Sequence, residues 1–146
     1  MTIKHFMNFM ESKRSADVRE VELMHGCDFY DIPLVDYADA TVLVDENNEV
    51  YAIGGVESHS TDGVQLNYVW MLCTGMVERH KTKFLRAAKK LLDEYLEKYT
   101  HLENFVWLGN EQHVQWLKWM GANFHDVVKV SNEDFQLFVF SKEVKK

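Results

Sequence analysis

Between residues 64 and 99 the polarity of the chain changes its period. Val64 to Cys73 reads as a strand, apolar without interruption over Tyr68 to Cys73, and it passes through Thr74-Gly75. Beyond that turn Phe84, Leu85, Ala88, Leu91, Leu92, Tyr95, Leu96 and Tyr99 recur at three- and four-residue spacing. That spacing draws one apolar face on a long helix.

The same reading extends along the chain. Thr2 to Phe6 is expected as a short first strand. A modest helix follows, with Ser15 as its N-cap, Val18, Val21 and Met24 on its apolar side with Leu23 and His25 nearby, and Gly26 as its stop. Asp28 to Asp39 holds the only proline, Pro33, and reads as a loop or a short irregular helix. Ala40 to Val44 and Val50 to Val56 are strands, and Asn47-Asn48 between them favours a hairpin turn with positive backbone torsions. Gly54-Gly55 inside the second strand points to a bulge or to another backbone lying close. Ser58 to Gly63 reads as a polar connection.

After the long helix, Asn104 to Leu108 is a strand without alternation, as suits one covered on both faces. Glu111 to Met120 is a second amphipathic helix closed by Gly121. Phe124 to Val130 and Phe135 to Phe140 form a last hairpin around Ser131 to Asp134, and Lys142 to Lys146 is a solvated tail. The order β, α, β, β, β, α, β, α, β, β requires a parallel pair in an otherwise antiparallel sheet. A crevice is expected where the Tyr68 to Cys73 strand meets its helix.

Composition narrows the class. The 146 residues are 47% hydrophobic with one proline, so a single folded domain over 1–146 is expected. A net charge of −7 disfavours a nucleic-acid binder. Cys27 and Cys73 make no disulfide framework, and His80, His113 and His125 lack ligand spacing, so no metal is expected. No leader or spanning segment is read, which makes a soluble protein of the cytoplasm the expectation.

Against that acidic background, Arg79, His80, Lys81, Lys83, Arg86, Lys89 and Lys90 come with no acidic residue among them. Cations at a helix start oppose its dipole, whereas the unpaired N–H groups there attract anions. The cluster is either a phosphate site or a solvated basic face.

These elements resemble the GNAT-type N-acetyltransferase fold over most of the chain. The resemblance implies an α/β (α+β) fold with a central mixed, mostly antiparallel sheet of about seven strands, helices on both faces, and a parallel pair at the splay point. It places Asn110 after the fifth family strand, Leu117 where a catalytic Tyr is usual, and Gly121-Ala122 where Gly-Phe is usual. If Arg79 opens the phosphate loop, Thr82 and Phe84 stand where glycines belong, and Phe84 is expected to obstruct the approach.

The implied acyl-CoA site (acetyl-CoA or another acyl-CoA) comprises Leu72, Cys73, Thr74, Arg79, His80, Lys81, Thr82, Lys83 and Asn110. Glu57 and His113 are the candidates for proton transfer, while Cys73 itself reads as a core cysteine. The runs YAIGG, KTKF, LEKY, NFVWLGNEQHVQWLKWMGANFH and FQLFVF further resemble small GNAT-like proteins of short-tailed bacteriophages, some described as internal virion proteins. That likeness spans roughly Ala40 to Phe140 and implies a phage protein, in the host cytoplasm or the virion.

Two functional readings stand. In one, a non-catalytic phage protein with a degenerate acyl-CoA site serves assembly or binds a phage or host partner, with Phe105, Trp107, Trp116 and Trp119 as core or interface aromatics and self-association open. In the other, an N-acyltransferase passes an acyl group to an amine. Nucleic-acid contact through the basic cluster is the least favoured by charge.

Overall fold

A computed structural model describes residues 1–31 and 40–142. Those residues divide into two compact units, Met1–Gly55 with Trp70–Ala87, and Val56–Val69 with Ala88–Lys146.

The first unit opens with helix α1 (Ile3–Ser12), where a strand was expected. Thr2 decides it. Its hydroxyl accepts the His5 N–H at 3.1 Å while His5 Nδ1 faces the Thr2 N–H, a capping box with histidine in the usual Glu or Gln place. Helix α2 (Ser15–His25) follows, with Arg14 rather than Ser15 at the N-cap and Gly26 in the left-handed conformation at φ 67°. Phe29–Asp31 forms a single 3-10 turn, and the remainder of the loop expected around Pro33 lies outside the described residues.

Strand β1 (Thr41–Val44) pairs antiparallel with β2 (Val50–Thr61), in register Thr41↔Gly54. Of the two turn asparagines, Asn48 takes φ 63°, and Asn47 donates its N–H to Asp45 at 2.9 Å. A Cβ on Gly54 would lie 2.6 Å from the Trp70 carbonyl oxygen, so that glycine permits a close backbone approach. The core of this unit gathers Phe9 of α1 with Phe29, Ala40, Val50, Ile53 and Leu72.

β2 runs on through Ser58–Thr61 where a polar connection was expected, and a two-residue turn joins it to β3 (Val64–Cys73). Asp62 and Gly63 have φ 51° and 78°, the type I′ pattern that matches strand twist. In the second unit β3 pairs in parallel with β4 (His101–Trp107) at Tyr68↔Glu103. β4 pairs antiparallel with β6 (Glu133–Ser141), and β6 with β5 (Asn123–Val130) around a second type I′ turn at Ser131-Asn132.

The sheet order is β1-β2-β3-β4-β6-β5. Among the described residues it is a mixed, mostly antiparallel sheet of six strands, one fewer than expected because Ile3–Ser12 is helical.

The expected long helix is interrupted. Helix α3 (Met76–Arg79) is a single turn, His80 leaves helical geometry at φ −130°, ψ 51°, and α4 (Lys81–Lys98) continues. Helix α5 (Glu111–Trp119) ends before Gly121, whose φ of 97° fits the expected cap. Leu92 of α4 and Leu117 of α5 join Leu102, Val106, Phe138 and Phe140 in the core of the second unit. Among the described residues no helix is long and apolar enough to cross a membrane.

Candidate functional site

The end of β3, where a crevice is expected, lies in the first unit, and the α1–α2 corner bonds to it. The Cys73 N–H donates to Asp17 Oδ2 at 2.6 Å, and the Cys73 carbonyl accepts the Arg14 N–H at 2.8 Å. One residue on, the Gly75 N–H donates to the Ser12 carbonyl at 2.9 Å. Thr74 is turned towards β2: its N–H reaches the Tyr51 carbonyl at 2.9 Å, and its hydroxyl donates to the Val50 carbonyl at 2.7 Å. Thr74 is wholly buried, so each of these bonds satisfies a group that water cannot reach.

The side chains of the corner form an ion network. Arg14 Nη1 lies 2.6 Å from Asp17 Oδ1, and Arg14 Nε lies 3.0 Å from Glu78 Oε1 on α3. Burial works against the Arg14 charge, but the Asp17 and Glu78 carboxylates outweigh it and raise the pKa of the guanidinium. Burial, and then the Asp17 carboxylate, push the Cys73 thiol well above its ordinary value. Cys73 is therefore a protonated core thiol at neutral pH, as its sequence context indicates. Leu72 packs into the core of the unit.

The basic end is different in kind. Glu78, Arg79, His80, Lys81, Thr82 and Lys83 line a solvent-open groove of about 400 Å³. Arg79, Lys81 and Lys83 are exposed, and Lys83 pairs loosely with Glu46, at 3.7 Å. His80 sits edge-on to Tyr51 with ring centres 6.3 Å apart. Phe84, expected to obstruct the phosphate approach, is instead buried at 1% exposure and packs on Tyr51. With α4 beginning at Lys81, its apolar period turns Phe84 inward, and Thr82 alone stands exposed at a glycine position.

The remaining candidates belong to the second unit. Asn110 is buried at the N-cap of α5, donates its N–H to the Trp107 carbonyl at 3.0 Å and accepts the Val114 N–H at 3.1 Å. His113 is half-buried beside Trp116. Leu117 is buried in the apolar core of this unit, with no polar group of its own to offer. Glu57 is exposed on β2, where it meets His59 at 3.5 Å, so it lacks the burial that tunes a carboxylate for base catalysis. The structure thus gathers Leu72 to Thr74 and Arg79 to Lys83 in one unit, and Glu57, Asn110, His113 and Leu117 in the other.

Sequence reasoning missed Arg14 and Asp17. Nothing local ties Asp17 to a strand 56 positions away. Among the described residues no group of three or more His, Cys, Asp or Glu is arranged to hold a metal ion.

Solved structures share the fold. They include smu.2055 from Streptococcus mutans (TM-score 0.65, 12% identity, covering 97% of this chain and 96% of that one). A ribosomal-protein-S5-alanine acetyltransferase from Vibrio fischeri matches at TM-score 0.60 with 16% identity, over 94% and 84% of the two chains. The NatB acetyltransferase complex bound to CoA and MES matches at TM-score 0.53 with 11% identity, over 88% and 95%. At these identities the likeness establishes a GNAT-like fold.

A relative in sequence comes from a phage. The probable scaffold protein gp13 of Escherichia phage T7 is 40% identical over 77 residues, 50% of this chain and 55% of that protein. The chain thus spans about half the length of this relative. A family model described as "Bacteriophage T7, probable scaffold protein Gp13" matches residues 40–128, more than half of the chain. The chain belongs to that phage protein family and has a GNAT-like fold.

Proposed function

We propose that this protein serves phage assembly as a non-catalytic GNAT-like protein that docks on phage structural proteins, in the infected cell and in the maturing particle. The observation that carries this reading is the end of β3, where the N–H and carbonyl of Cys73 are taken by Asp17 and Arg14. An acyl-CoA arm carries amides that pair with a strand edge much as a peptide does. It finds no edge groups at Cys73, so the residues at this end do not fit the cofactor. The buried Leu117 supports the same reading, since it supplies no acid to protonate a leaving thiolate. The name of the T7 relative supports the role in assembly.

The test has two parts. Purified protein incubated with acetyl-CoA and a panel of amines should release no free CoA above the protein-free blank. Mass spectrometry of purified phage particles and their precursors should find the chain in one or both. CoA release that tracks protein concentration overturns the non-catalytic reading, and absence from every assembly species overturns the assembly role.

An active N-acyltransferase is the second reading, favoured by the open basic groove at Arg79 to Lys83. There the first-turn N–H groups of α4 and three exposed cations suit the phosphates of a CoA. In that reading Asn110, His113 and Glu57 are the polar groups left for orientation and proton transfer.

A further inference from the structure

The α1–α2 corner spends more bonds on the end of β3 than a connection between two helices needs. Lys13 bridges Thr74 in antiparallel fashion, Arg14 and Ser12 contribute a backbone donor and a backbone acceptor, and Asp17 contributes a carboxylate. Arg14 then ties the corner to α3 through Glu78, which also lines the basic groove.

A buried ion pair is an expensive way to join two elements. Taking both charges out of water costs several kcal/mol per ion, so apolar packing serves stability at least as well. What Arg14 and Asp17 supply that apolar side chains lack is a fixed set of partners for the edge of a strand. Asp17 is 1% exposed and both its carboxylate oxygens are used, one by Arg14 and one by the Cys73 N–H. In effect the corner adds a short strand segment where an extended ligand would otherwise lie.

We propose that the α1–α2 corner is an autoinhibitory latch: Arg14 and Asp17 occupy the edge of Cys73 and hold the end of β3 closed to an acyl-CoA arm. This rests on the non-catalytic reading above and gives its physical cause. The groove at Arg79 to Lys83 keeps its exposed cations beside the closed strand end, so opening the latch is expected to present a strand edge and a basic groove together. The latch also has a natural point of release, because Glu78 is half-exposed and holds Arg14 from the groove side.

The backbone offers a clean way to open it. Arg14 has φ −71° and ψ 134°, and Lys13 before it has φ −55° and ψ 140°, so Arg14→Pro fits both torsions. That change deletes the N–H that reaches Cys73 together with the guanidinium. Asp17→Ala, added in the same chain, removes the carboxylate that accepts the Cys73 N–H and that has lost its Arg14 ion partner.

The experiment is calorimetric titration of acetyl-CoA into the full-length wild type and the Arg14→Pro/Asp17→Ala variant, both checked by circular dichroism. No binding by the wild type at 1 mM cofactor is expected on the order of the weakest affinities of this scale. The folded variant is expected to bind at least ~10-fold more tightly, a gain of ~1.4 kcal/mol. Binding by the wild type overturns both the latch and the cofactor-refusing reading. Binding by neither folded protein overturns the latch alone and leaves that reading standing.

Hydrogen exchange of the wild type decides the matter if the variant does not fold. The Cys73 and Gly75 amides should exchange among the slowest in their unit. Exchange at the rate of exposed loops means that the corner stands open, and the proposal fails.

Discussion

The end of β3 and the start of α4 are a few residues apart in sequence and opposite in physical state. At Cys73 and Thr74 every polar group named above is buried and has a partner in the chain itself. At Arg79, Lys81 and Lys83 the charges stand in water around an open groove. A chain can thus keep a basic cluster in water while the polar groups of the strand end beside it are paired. Charge in the sequence therefore does not reveal whether a ligand can seat.

Mutations can break this contrast. The largest effect is expected at Arg14: Arg14→Ala leaves the Asp17 carboxylate buried without its ion partner and should cost ~3–5 kcal/mol in urea unfolding. Arg79→Ala, at the exposed end, should stay within ~0.5 kcal/mol. Equal costs at the two positions would mean that the corner is not the buried element described here.

Thr74→Val should come next, at ~1–3 kcal/mol, because it strips the Val50 carbonyl of its hydroxyl donor in a dry site. The same measurement on Thr82→Val, which is exposed, should show almost nothing.

A smaller effect comes from Cys73 and depends on pH. Burial raises its thiol, so the unfolded chain loses this proton first as pH rises. The contribution to stability is intact below the ordinary value of 9.0 and declines from there towards the folded value. The slope is at most ~1.4 kcal/mol per pH unit. Cys73→Ala should remove that component from the alkaline stability profile, and a thiol reagent at pH 8 should label exposed Cys27 and spare Cys73.

Much of this fold was legible because its signals are local. Gly26 and Gly121 mark helix ends through positive φ, and the apolar period of Phe84 to Leu96 identified α4. The errors have local reasons too. Thr2 to Phe6 is too short to display a helical period, and its capping box was hidden because histidine, not glutamate, makes the return contact. Ser58 to Thr61 looked like a loop because it is polar, although Asp62-Gly63 carries the type I′ turn that fixes the hairpin.

The candidate site was legible only in part. The basic cluster is contiguous in sequence, so its place at the start of α4 could be read directly. The closing of β3 could not, because it joins Arg14 and Asp17 to Cys73 across more than fifty residues with no pattern to announce it. For Phe84 two sequence signals competed, the loop motif and the apolar period, and the period decided its inward turn.

Thermal unfolding of the wild-type protein with and without millimolar acetyl-CoA tests the central claim most directly. A closed β3 end predicts no change in midpoint. A cofactor present at ~100 times its dissociation constant would add ~2.7 kcal/mol, a rise of several degrees for a chain of this size. A rise of that order, lost in Arg79→Ala/Lys81→Ala, would contradict the account and return the protein to the acyl-CoA-binding members of its fold.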